Sequence, residues 1–313
     1  MKKIISLLLV LTMMLGVCLA TTSCGGDDEE SADYTVGICQ LMAHESLDKA
    51  TEGFKDALTA ALAEEGKTVE FDVQIPADMA LCSTVISTFT SKNVDLILAN
   101  ATPALTAASF ATSTIPVLGT SVTDYESTFS GNIPANVTGT SDAVPFGEQA
   151  QMMIDTLGLT ADSHVGVIYC SNESNSKIQY DAVKEYFASK GINNVTAYTF
   201  SSTTELNAVI NAAAANSDAI YIPSDNTVAN NDTVVGSICS DAGVPVYTSY
   251  ASDICYASLA IDYYQLGYQT GLMAAEILLG NKTPADIAIE TLTPTVIFNE
   301  EICTKLGITV PEN

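Results

Sequence analysis

The chain reads as an α/β protein made of two similar Rossmann-like lobes, each a parallel sheet flanked by helices. Three observations predict this. First, short apolar runs alternate with helical stretches along most of the length, and strands separated by helices pair in parallel through right-handed crossovers. Second, the second half repeats the plan of the first. Val36-Gly37-Ile38 is answered by Val165-Gly166-Val167, and Ile115-Pro116-Val117-Leu118 by Val244-Pro245-Val246-Tyr247, both at an offset of 129 residues. A middle pair, Asp95-Leu96-Ile97-Leu98 and Asp218-Ala219-Ile220-Tyr221, is offset by 123. Third, each apolar run ends in hydroxyls, amides or carboxylates. Two such lobes facing each other leave a gap lined by those tips, and open α/β sheets bind ligands beyond the carboxyl ends of their strands.

The elements follow in order. Strand 34–40 leads to helix 46–64, which places Leu47, Ala50, Phe54, Leu58 and Ala61 on one face. Strand 69–75, helix 79–90, strand 94–99, helix 103–111 and strand 115–119 complete the first lobe. Residues 120–140 are rich in Ser, Thr, Gly and Asn and carry no helical period, so they read as the crossing between lobes. The second lobe runs through helix 142–157, strand 164–170, helix 176–189, strand 195–200, helix 203–215, strand 219–223, helix 227–242 and strand 244–249. Ser202 and Glu205 form a capping box at one of its helix starts. A long apolar-faced helix, 266–279, precedes a tail with two short β runs and a helical turn. The resulting domain plan is an N-terminal lobe over 34–121 with crossing segments from about 255–290. A hinge over 122–141, a C-terminal lobe over 142–254 and a tail over 291–313 complete it.

Residues 1–23 are set apart as a secretory signal. Lys2-Lys3 precedes an apolar run from Ile4 to Ala20, shorter than the ~20 residues of a comfortable membrane span. The run ends in Thr21-Thr22-Ser23-Cys24, which looks like a bacterial lipobox with Thr where Leu is usual. Cys24 would then carry the lipid, and the polar stretch over 24–33 would tether the body to the outer face of the cell membrane. Ordinary cleavage near Ala20 is the alternative. The net charge of −26 argues against nucleic acid, because neutralising phosphates needs clustered cations. All 11 basic residues are Lys, so no guanidinium is present to grip a ligand carboxylate in a fork. Backbone N–H groups, hydroxyls, amides or a helix N-terminus must do that instead. Cys39, Cys82, Cys170, Cys239, Cys255 and Cys303 show no metal-ligand spacing and read as small buried hydrophobes, a Cys239–Cys255 disulfide being the alternative. With two His in the chain, no metal site is expected, and no cofactor.

The candidate contacts are the strand tips. Lobe one offers His44, Ser46, Thr102 and Ser121; lobe two offers Ser174, Asn175, Asp225, Asn226 and Thr227. Thr102-Pro103 and Asp225-Asn226 read as helix starts, so both sides aim partial positive charge at the gap. Asp225 is the first candidate to meet a ligand ammonium, with helix capping as the alternative. Asp262 falls at the last crossing, either as a ligand contact or as a hinge hydrogen-bonder. Ser141-Asp142 opens a helix and reads chiefly as a cap. No nucleophile–base pair, G-x-S-x-G elbow, P-loop, H-E-x-x-H or strand-linked G-x-G-x-x-G is present, so no enzyme is expected.

Several segments carry a family resemblance. They include Asp48-x-x-x-Glu52-Gly53-Phe54, Ala101-Thr102-Pro103-Ala104, Asn136-Val137-Thr138-Gly139-Thr140-Ser141-Asp142, Glu173-Ser174-Asn175-Ser176, Pro223-Ser224-Asp225-Asn226-Thr227 and Asp262-Tyr263-Tyr264-Gln265-Leu266-Gly267. They resemble the substrate-binding lipoproteins of ABC importers of the tryptophan/tyrosine-binding type. The resemblance spans about residues 34–290. It implies a type I periplasmic-binding-protein fold with three interlobe crossings, a small ligand such as an aromatic amino acid, and permease and ATPase partners. It also implies site positions at His44, Ser46, Thr102, Ser121, Ser141, Ser174, Asn175, Asp225, Asn226 and Thr227. Tyr125 stands where a Pro often follows Asp124 in the family. A nucleoside or sugar on the same fold, or a lipoprotein that senses a ligand without importing it, are the alternatives.

Overall fold

The computed structural model describes residues 32–311, so the expected signal over 1–23, Cys24 and all but the end of the expected tether over 24–33 lie outside the described residues. The described residues build two six-stranded sheets. The first contains β1 (Tyr34–Gln40), β2 (Val69–Gln74), β3 (Leu96–Asn100), β4 (Val117–Val122), β5 (Val137–Ser141) and β11 (Glu290–Thr291), in the order β11-β5-β4-β3-β1-β2 and parallel throughout. The second contains β6 (His164–Cys170), β7 (Asn194–Phe200), β8 (Ala219–Ile222), β9 (Val246–Thr248), β10 (Ala257–Ala260) and β12 (Thr295–Phe298), in the order β12-β10-β9-β8-β6-β7. Only the β10–β12 pairing there is antiparallel. β3 and β4 are buried along their whole length, as parallel strands covered by helices on both faces must be.

The first sheet is flanked by α1 (Glu45–Glu64), α2 (Met79–Lys92), α3 (Thr102–Ala111) and the short α4 (Tyr125–Thr128). The second carries α5 (Phe146–Leu157), α6 (Ser174–Ser189), α7 (Thr203–Asn216), α8 (Asn226–Ala229), α9 (Asp232–Ala242) and, near the end of the chain, α11 (Glu300–Leu306). Between them in sequence, α10 (Tyr263–Leu278) leaves the second sheet and docks on α1 of the first. That docking is close: a Cβ on Gly267 would stand 1.9 Å from the Ala50 carbonyl oxygen, so only glycine fits. Phe54, Leu58, Leu98 and Met273 share one core cluster of the first lobe, and Tyr221, Tyr247, Phe187 and Val167 share one of the second.

The chain passes between the sheets three times, over 142–145, 261–262 and 292–294. The expected hinge over 122–141 is placed differently: 137–141 is β5, paired with β4. Its Val-Thr-Gly-Thr-Ser sequence hides a strand because close backbone approach, rather than bulky side chains, defines it. A Cβ on Gly139 would stand 2.0 Å from Gly119 O, and Tyr125 OH donates to Thr140 O at 3.1 Å. Likewise 257–260, expected within the first lobe, is β10 of the second sheet, and the expected tail over 291–313 holds the third passage. The helix expected over 227–242 breaks at Asn230-Asn231 into α8 and α9. The helix expected from 142 begins at Phe146, behind Pro145. The six described cysteines are buried and free. Cys255 donates to Ser252 O, so the Cys239–Cys255 alternative is not the arrangement found. No described helix is long and apolar enough to cross a membrane.

Candidate functional site

The carboxyl ends of β1, β3 and β4 meet those of β6, β8 and β9 across a shut cleft. Among the described residues, two side-chain hydrogen-bonding contacts bridge it. His44 Nε2 lies 3.3 Å from Asn226 Oδ1, and Gln179 Nε2 donates to Thr123 Oγ1 at 3.4 Å. Between them is a narrow slot lined by His44, Leu47, Ser121, Asp142, Asp225 and Tyr250. The slot continues outward into a cavity of about 330 Å³ bordered by Glu45, Ser46, Asp232 and Ser252, a size that suits one small molecule.

On the first lobe, the tips of β3 and β4 carry the local strain. Ala101 stands at φ 95° and Ser121 at φ 56°, both non-glycine residues in the left-handed region. Each such residue costs on the order of 1–3 kcal/mol and persists where its surroundings hold it. Ala101 turns the chain from β3 into α3, whose first turn contains Thr102 and Pro103. Ser121 sits in a register shift between β4 and β5. The hydroxyl oxygens of Thr102 and Ser121 are both buried and neither has a hydrogen-bond partner, an arrangement proteins avoid unless something else uses the group. The α3 N-terminus adds free backbone N–H groups.

On the second lobe the tips are tied to one another. Glu173, at 0% exposure, accepts at Oε1 from Thr227 N and Thr227 Oγ1, both 2.8 Å, and at Oε2 from Asn226 N (2.9 Å) and Asn226 Nδ2 (2.7 Å). Asp225 accepts at Oδ1 from Val228 N (2.9 Å) and at Oδ2 from Cys170 N (2.7 Å) and Ser176 Oγ (2.8 Å). Burial pushes the Asp225 carboxyl up, the neighbouring Glu173 charge pushes it further, and the three donors oppose them. The capping role given as the alternative for Asp225 is present: the residue lines the slot, and its carboxylate caps α8 and anchors β6. The Asn226 and Thr227 side chains also serve Glu173, Asn226 keeping its oxygen for His44. Asn175 donates from Nδ2 to Ser224 O at 2.8 Å, while its Oδ1 is buried without a partner.

Three expected positions lie elsewhere. Ser174 is exposed on the first turn of α6. Asp262 is exposed and caps α10 through Gln265 N at 3.1 Å. Ser141 Oγ donates to Thr123 O (2.9 Å) and accepts from Ala143 N (3.1 Å), which fixes the first crossing. Ser46 borders both slot and mouth. Burial holds the His44 imidazole below its ordinary value, against the opposing pull of Asn226, Glu173 and Asp48.

The structure also brings in residues outside the expected contact set, two of which, Glu173 and Tyr250, stand at the expected strand ends: Asp142, Glu173, Gln179, Tyr250 and Tyr263. Asp142 follows a serine where a helix start was expected. Since α5 begins four residues later, it caps nothing; it accepts from Thr123 Oγ1 (3.0 Å) and Tyr263 OH (2.8 Å) inside the slot. Glu173 precedes a helix and shows only the pattern of a cap. Gln179 lies mid-helix, with no local signal at all.

The family of ABC transporter substrate binding proteins matches residues 35–313. A tyrosine-binding protein of Clostridioides difficile (strain R20291) is 34% identical over 327 residues, which cover 98% of this chain and 93% of that one. The ABC domain from Streptococcus pneumonia in complex with L-Trp is 30% identical, with a TM-score of 0.80 over 89% of this chain and 96% of that one. The ligand-free, open structure of a substrate binding protein with adhesive properties from Clostridium difficile is 32% identical, with a TM-score of 0.65 over 90% and 97%. At nearly equal identity, the chain superposes better on the ligand-bound relative than on the open one, in keeping with its shut cleft. The chain belongs to the ABC transporter substrate binding proteins, a family that holds a solute rather than transforming it.

Proposed function

We propose that this protein captures an aromatic amino acid, tyrosine or tryptophan, in the interlobe cleft outside the cytoplasm. It then delivers the ligand to an ABC permease driven by its ATPase, while lipidated Cys24 holds it at the membrane. The observation that carries the reading is that three of the buried, unpartnered polar atoms lie just beyond the strand tips: Thr102 Oγ1, Ser121 Oγ and Asn175 Oδ1. Two hydroxyls and a helix N-terminus suit a carboxylate in a chain without Arg, and the Asn175 oxygen suits a donor on the other end of the ligand. The tyrosine-binding and L-Trp-bound relatives support the choice of an aromatic side chain, and the mouth beside Tyr250 has space for the ring. Capture works by closure. The open lobes admit the ligand, and its contacts with both sides favour the shut form, which the His44–Asn226 and Gln179–Thr123 contacts then complete.

Calorimetry of the purified protein against the twenty amino acids, a nucleoside and glucose tests this. Tyrosine or tryptophan should bind with micromolar or tighter affinity and raise the melting temperature with concentration. Binding of the nucleoside or glucose alone would overturn the reading. Fractionation of cells expressing Cys24→Ala tests the anchor, because the protein should move from the membrane to the soluble extracytoplasmic fraction.

A further inference from the structure

We propose that Asp142 is the residue that selects for the ligand's ammonium group and couples that contact to closure; this rests on the amino-acid reading above. Asp142 is 6% exposed and lines the slot. Its carboxylate receives two side-chain hydrogen bonds, from the hydroxyls of Thr123 and Tyr263. Of the other acids at the cleft, Glu173 has four close donors and Asp225 three, several of them backbone N–H groups, while Asp232 sits out at the mouth, half-buried, with both of its hydroxyl partners, Tyr250 and Ser252, on its own lobe. The phenols of Tyr125 and Tyr263 face Asp142, both neutral because burial and the Asp142 charge push them far up, and the same slot holds Asp225 and His44, whose imidazole burial keeps below its ordinary value. No Lys borders the slot or its mouth, and the chain has no Arg. A carboxylate buried with hydroxyl partners and no cation carries an uncompensated desolvation cost, and burial raises the Asp142 carboxyl accordingly. A ligand ammonium supplies the missing positive charge.

The position gives that contact its leverage. Asp142 is the first residue of the first passage between the lobes, and Tyr263 opens α10 just after the second. Thr123, the other partner, receives Gln179 from across the cleft. An ammonium seated on Asp142 therefore engages two crossings and one closing contact together.

The test compares L-tyrosine and L-tryptophan with 3-(4-hydroxyphenyl)propionate and indole-3-propionate, which lack the amine, by calorimetry on wild type, Asp142→Asn and Tyr263→Phe. Asp142→Asn should weaken the amino acids by about thirtyfold or more and leave the deaminated acids within about threefold of wild type. Tyr263→Phe keeps the carboxylate and should preserve the preference for the amine. Asp142→Ser repeats the measurement should the Asn variant fail to fold. Equal weakening of amino and deaminated ligands would assign Asp142 a purely structural role and overturn the proposal. Unchanged tyrosine affinity in Asp142→Asn would overturn it too, with the amino-acid reading intact. A wild type that binds neither amino acid overturns both.

Discussion

The two jaws of the cleft solve the same problem in opposite ways. At the second-lobe tip, Glu173 and Asp225 spend their carboxylates on neighbouring backbone and side-chain donors, and the loop before α8 is locked from within. At the first-lobe tip, Thr102 and Ser121 leave buried hydroxyls unpaired on a strained backbone. The second-lobe jaw has its carboxylates satisfied in advance and leaves only the Asn175 oxygen unpartnered; the first-lobe jaw leaves both of these hydroxyls without a hydrogen bond. The difference separates stability from recognition. Substitutions at the locked tip should damage folding, and substitutions at the unpaired tip should damage binding while sparing the fold.

The largest effect should come from Glu173→Ala. It strips partners from two backbone N–H groups and two side-chain groups of Asn226 and Thr227. Each buried donor left unmade costs about 1–3 kcal/mol, so a total loss of at least about 3 kcal/mol is expected. For a body of this size that lowers the melting temperature by about 6–12 °C, readable by differential scanning fluorimetry without any ligand. A melting temperature within 1–2 °C of wild type would break the contrast between the jaws.

The converse experiment removes the unpaired hydroxyls. Thr102→Val and Ser121→Ala each delete a buried polar atom that has no partner. The unliganded variants should melt no lower than wild type, since replacing an unsatisfied buried group with an apolar one is neutral or stabilising. Ligand affinity should fall by about five- to tenfold for each, roughly one hydrogen bond. A variant that loses stability but keeps its affinity would assign that hydroxyl to the fold.

The jaws also differed in how much of them could be read from the sequence. The strand cores were plain, because β3 and β6 are near-continuous apolar runs whose burial on both faces demands them. β5 and β10 escaped, since small and polar residues build them and close pairing with neighbouring strands holds them. Thr102-Pro103 was legible as a helix start, because proline in the first turn is a local signal, but the N-cap expected at Thr102 falls on Ala101 and the Thr102 hydroxyl caps nothing. The fate of the Asp225 carboxylate was not legible, because its partners Ser176 and Cys170 lie 49 and 55 residues away. Asp142 was obscured for the same reason: Tyr263 stands 121 residues from it in sequence. Local pattern reveals where a side chain sits; what it touches there depends on pairings that only the completed fold makes.

The smallest expected effect concerns the contact where the jaws meet. Burial in the shut cleft depresses the His44 imidazole, whereas the open cleft would hydrate the ring and let it titrate near its ordinary value. The shut form thus takes up a proton less readily than the open one. A depressed value means that the closing contribution of His44 is complete above the ordinary imidazole range and is lost as pH falls through the lowered one. Asp142 and Asp225 run the other way, since burial raises both carboxyls and their penalty grows as pH rises. Those two acids remain in His44→Gln, so the ratio of wild-type to variant affinity isolates the ring. Between pH 7.5 and 5, that ratio should fall by about two- to fivefold. A ratio constant across the range would mean that His44 stays equally hydrated in both forms, and that its 3.3 Å approach to Asn226 adds nothing to closure.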